Sequence, residues 1–148
     1  MAVQQQTDIE VKSFIQSGKG LIKSGQTVVQ DAGRGAVDME FGTVMVYDPA
    51  TLKWNSFTDE TAIDGTAHPR GILMRKLDAA DIVAGDVEDV PILVGGGCTV
   101  DNGQLVIENS KTLATVVNVP TNLNASVEDL LRQTGIFVET TIDITETA

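Results

Sequence analysis

At 148 residues and 15.7 kDa the chain has the size of one domain, long enough to bury roughly 70% of the surface that its unfolded form exposes without covalent staples. Its single cysteine, Cys98, excludes an intrachain disulfide and suits a reducing compartment. A formal net charge of −11 and a pI near 4.3 repel phosphate backbones and anionic lipid, so nucleic acid and membrane surfaces are set aside as partners.

The N-terminus, MAVQQQTDIE, has neither the basic start nor the apolar stretch of a signal peptide, and no later run approaches the ~20 apolar residues of a membrane span. The expectation is a soluble protein made in a cytoplasm. Residues 1–26 are rich in Gln, Ser, Gly and Lys. Ile9 and Val11 alternate as in a strand, and Phe14, Ile15, Leu21 and Ile22 add apolar bulk. Ordering so long a polar stretch costs more conformational entropy than these few side chains return by burial, which predicts an N-terminal arm that orders against a partner. The alternative for Ile9–Ile15 is an ordinary strand added to the domain's own sheet. Charge follows the same division. Through Arg34, four basic residues (Lys12, Lys19, Lys23, Arg34) face three acidic ones (Asp8, Glu10, Asp31), so +1 precedes a remainder of −12.

The body, residues 27–148, reads as mainly β. Thr43–Tyr47 and Leu52–Trp54 flank Asp48-Pro49-Ala50-Thr51, where Asp can bond its own following backbone and Pro presets a type I turn. A polar loop follows from Thr58 to Pro69, then a strand at Gly71–Met74, an acidic turn from Asp78 to Asp89, and a strand at Val90–Val94. Cys98–Val100 and Gln104–Ile107 around Asp101-Asn102-Gly103 predict a second hairpin. One helix opens at Ser126, with Glu128 and Asp129 in its first turn, and stops at Gly135. Ile136–Val138 and Thr141–Ile144 finish as strands.

Little in this pattern can do chemistry. Gly95-Gly96-Gly97 lacks the following Lys-Ser/Thr and helix of a phosphate cradle, and reads as a flexible or closely packed turn. His68 stands alone, so a multi-histidine metal site is impossible, and no G-x-S-x-G frames a nucleophile. Asp78, Asp81, Asp86, Glu88 and Asp89 lack the spacing of a calcium loop. Cys98, in an apolar run with no basic neighbour, reads as a buried inert thiol, and Trp54 as a hairpin anchor.

The hairpin at Gly42–Trp54, the phrase D-G-T-A-x-x-x-G-I-L at Asp64–Leu73, the strands through Leu105, and L-L-R-x-x-G-I from Leu130 to Ile136 resemble, in that order, the lambda-type phage head-decoration proteins. The likeness covers roughly residues 40–140. It implies a compact β-rich domain with short hairpins and a short C-terminal helix. It also implies a homotrimer on the outer surface of an icosahedral virion head, made in the bacterial host's cytoplasm, that cements neighbouring major capsid protein subunits after expansion. Such a protein has no catalytic residue, cofactor or metal. In that family the N-terminal arm helps attachment, and by position alone the apolar residues Ile9, Val11, Phe14 and Ile15 of this chain's arm are the expected capsid contacts. A carbohydrate- or receptor-binding β module on a virion surface is the second reading, and a calcium-dependent or hydrolytic domain the third.

Overall fold

Successive residues of Val44–Asp48 face two different cores, and this alternation organises the molecule. The computed structural model describes residues 14–29, 36–57, 69–108, 111–117 and 125–139. Among them the chain forms β1 (Ile15–Ser17), β2 (Leu21–Val28), β3 (Val44–Asp48), β4 (Lys53–Ser56), β5 (Pro69–Leu73), α1 (Ala79–Ala84), β6 (Val87–Gly95), β7 (Cys98–Asp101), β8 (Val116–Val117), β9 (Ala125–Ser126), α2 (Val127–Gln133) and β10 (Ile136–Glu139). Five strands close a small barrel in the order β2-β4-β3-β5-β6. Three more form a sheet in the order β1-β7-β10, and β8 pairs with β9. The protein is therefore mainly β, with two short α-helices among the described residues.

Every barrel strand sends side chains inward. Val28, Met45, Trp54, Leu73, Val90 and Ile92 fill the interior, with Met39, Leu77 and Ile82 of the α1 region in the same cluster. Their neighbours Val44, Ile72 and Leu93 point outward into a second core shared with Phe14, Val100, Leu130, Leu131 and Ile136. Each fully buried side chain of this size stabilises by about 1.5–3 kcal/mol. Three register shifts adapt the β2–β6 ladder to the barrel, the first leaving Val94 unmatched between the Leu21–Gly95 and Ile22–Leu93 pairs. Glu88 and Asp89 stand opposite the single Thr27, with Asp89 at φ 58°, and Ser24 and Gly25 stand opposite Pro91.

The predicted β3–β4 hairpin is present, with Asp48 paired to Lys53 and the Asp48 carboxylate accepting from Ala50 N at 2.9 Å. Leu52, predicted as strand, instead ends the turn at φ 60°, 67% exposed. The helix at Ser126 is also present, with Ser126 Oγ accepting from Asp129 N at 3.1 Å, and Arg132 bonding both Glu128 and Asp129.

Other expectations are corrected. The acidic stretch Asp78–Asp89 contains α1, held by one buried anchor, Ile82, with Ala79 N donating to Asp38 at 2.8 Å. The predicted hairpin at Cys98–Ile107 does not form: β7 pairs with β1 and β10, while Val106 bridges in parallel to Thr43. The boundary drawn between arm and body at residue 26 falls inside β2, because Leu21–Val28 runs antiparallel to β6 along its whole length. Pairing with the body supplies the stabilisation that the entropy argument left out. The predicted strand at Thr141–Ile144, His68 and most of the Thr58–Pro69 loop lie outside the described residues. Among the described residues no helix is long and apolar enough to cross a membrane.

Candidate functional site

Two of the four residues predicted to grip a partner can be located. Phe14 is 0% exposed, edge-on to Phe41 with ring centroids 5.4 Å apart. It is a core residue, not a contact residue, because its ring shares a cluster with Val100 and Ile136. Ile15 is half-buried and pairs with Val100 across the β1–β7 ladder. Ile9 and Val11 lie outside the described residues. Of the predicted arm, residues 1–13 lie outside the described residues, and the described chain begins with Phe14 beside β1, at one edge of the three-stranded sheet.

The glycine triplet is a chain crossing. Gly96 adopts φ 98°, and a Cβ there would lie 3.1 Å from Gly20 Cα, so the β1–β2 connection passes directly over it. A Cβ on Gly95 would collide with Thr134 O at the end of α2. Cys98, just beyond, is buried with Sγ 3.7 Å from Gly95 O, and burial pushes its thiol pKa upward.

The barrel has one open end. Register places the starts of β2, β4 and β5, the ends of β3 and β6, and the β3–β4 turn at that end. A groove of about 330 Å³ lies there, lined by Leu21, Lys23, Gln26, Tyr47, Trp54 and Arg70, with Val94 also on its wall. The Tyr47 and Trp54 rings are 5.0 Å apart and tilted by 53°. Trp54 Nε1 donates to Gln26 Oε1 at 3.0 Å, and Gln26 Nε2 donates to Ser24 O at 3.1 Å, so the indole is fixed by an amide that is itself held. Gly71 explains part of the D-G-T-A-x-x-x-G-I-L phrase: a Cβ there would lie 2.9 Å from Trp54 Cζ3, so only glycine lets the ring rest on β5. The sequence marked Trp54 as an anchor but missed this groove, because Gln26, Tyr47 and Arg70 meet it from three other strands.

Two basic side chains reach the groove. Lys23 and Arg70 line it, whereas the whole chain carries −11. The acidic residues whose spacing does not match a calcium loop take separate roles. Asp78 begins α1, Asp86 bonds Lys53 at 2.6 Å, and Asp89 sits in the β6 bulge. Among the described residues no group of three or more His, Cys, Asp or Glu side chains could hold a metal ion. Lys76 has its pKa raised by Glu40 and by a hydrogen bond to Asp38, a surface pairing beside α1.

A scan against known protein families matches none of them to this chain, and a search of the curated proteins finds no match.

Proposed function

We propose that this protein decorates the outside of an expanded icosahedral bacteriophage head, where homotrimers cement neighbouring major capsid protein subunits. The observation that carries the reading is the convergence of the two phrases on which the family resemblance rests. Ile72 from the first and Leu130, Leu131 and Ile136 from the second lie in one buried cluster, so both serve a single architectural unit. The reading needs a small rigid body with attached grips and no reacting side chains. Phe14 anchors the N-terminal segment firmly to that body, and Val3, Ile9 and Val11 precede it in the sequence. Three such segments per trimer would add weak contacts in parallel, raising overall affinity without any one of them binding tightly. The acidic body resists self-association away from the shell.

Cosedimentation with expanded heads and with free capsid subunits tests this. Binding is expected to the assembled shell and not to isolated subunits, since the site is shared between neighbours. Equal affinity for both, or density away from threefold positions in an image of the decorated particle, would overturn it.

A further inference from the structure

We propose that the open end of the barrel binds an extended acidic peptide segment of a partner protein, which adds as a strand beside Leu21–Lys23. The site is built from described residues of the barrel, and the proposal stands whether or not the protein decorates a capsid.

Three observations carry it. The barrel closes between β2 and β4 at one register pair only, Val28 with Trp54, supported by Val29 N donating to Trp54 O at 2.9 Å. Upstream of that point, no strand among the described residues flanks β2 on the side away from β6, and Leu21 is 59% exposed. An open strand edge offers alternating N–H and C=O groups, which a polypeptide backbone matches and a sugar or nucleotide does not.

The second observation is the apolar wall of Leu21, Tyr47, Trp54 and Val94 behind that edge, which suits alternate side chains of an added strand. The third is charge. Lys23 lines the groove of a strongly acidic protein, so acidic residues on the incoming strand are favoured. The same Lys23 opposes pairing with the equivalent edge of another copy, where lysine would face lysine. The bulge at Ser24–Gly25, with Gly25 at φ 72°, turns Gln26 toward Trp54 and sets the inner limit of the open edge.

Trp54 is the chain's only tryptophan and forms part of the wall, so its fluorescence reports occupancy in the full-length protein. The probe is a blocked octapeptide of alternating valine and glutamate. Its comparators are the valine–lysine analogue, two isomers N-methylated on every valine or on every glutamate, and oligoglucuronate. The expected result is a saturable change in Trp54 emission with the acidic peptide, weakened about tenfold by the surface change Lys23→Glu and lost with one N-methyl isomer. Binding also weakens with added salt.

Equal binding of the lysine peptide removes the charge argument. Equal binding of both N-methyl isomers removes strand addition, and a Lys23-dependent response to oligoglucuronate that matches the peptide makes the groove an acidic-sugar site. No response at millimolar peptide leaves no peptide site. Self-association in sedimentation that depends on Leu21 makes the edge a contact between copies. None of these results bears on cosedimentation with heads, so the two proposals fail separately.

Discussion

Trp54 donates its indole N–H to Gln26 Oε1 at 3.0 Å, beside the only register pair that joins β2 to β4. The barrel's narrowest seam thus depends on a side-chain bond as well as on the backbone. Replacing Gln26 with Met leaves the largely buried indole N–H without that acceptor and should cost about 1–3 kcal/mol. Lys53→Ala removes an exposed ion pair with Asp86 and should cost at most about 1 kcal/mol. Equal losses in thermal melts would show that the seam does not rely on the Gln26 amide.

Truncation separates arm from body at a different place from the sequence boundary. Removing residues 1–13 should leave a cooperative melt near that of the full chain and weaken attachment to expanded heads. Removing residues 1–26 takes away Phe14, β1 and most of β2, and should abolish cooperative folding. Phe14→Ala alone should cost about 3–5 kcal/mol. A folded protein lacking residues 1–26 would refute the core assignment of Phe14.

Cys98 provides a pH test. Burial raises its thiol pKa above the ordinary value of 9.0, so the folded state keeps the proton longer than the unfolded state. That contribution to stability is complete below the unfolded value and is lost as pH rises through it toward the folded value. Above about pH 9 the melting temperature should fall more steeply for the parent than for Cys98→Ala. At neutral pH, alkylation of the native thiol should be on the order of a hundredfold slower than in denaturant, because the reagent must wait for opening. Rapid native alkylation would contradict the buried position.

The second helix offers two graded losses. Ser126→Ala removes the hydroxyl that caps Asp129 N and should cost about 0.5–2 kcal/mol, whereas Leu131→Ala empties a core position and should cost about 2–5 kcal/mol. At roughly 2–4 °C per kcal/mol the two should separate clearly by calorimetry. A cap loss as large as the core loss would mean that α2 is held by its first turn and not by its buried face.

The elements visible in the sequence are those whose signals are local. Asp48-Pro49 announces the β3–β4 turn, and Ser126 and Gly135 bracket α2, each within a few residues of what it controls. What stayed hidden depends on distant partners. Leu21–Val28, with its Ser, Gly and Gln, reads as a polar arm until β6 lies beside it. Cys98–Asp101 reads as one half of a hairpin with the next segment, yet its neighbours come from the two ends of the described chain, β1 and β10. The first helix has one buried residue among six, too few for a periodic signal, and the groove is assembled from residues on several strands.

Those long-distance pairings also set the order of events during synthesis. Leu21 cannot meet Gly95 until most of the chain has left the ribosome, and β7 gains its parallel neighbour only when Val138 arrives to lie beside Val100. The barrel strands therefore emerge without their closing partner, and the sheet waits for a C-terminal strand. Folding dominated by such non-local contacts runs in milliseconds to seconds. Through that interval the growing chain presents unpaired strands to its neighbours, and the mutual repulsion of acidic nascent chains becomes a safeguard against aggregation before it serves any finished molecule.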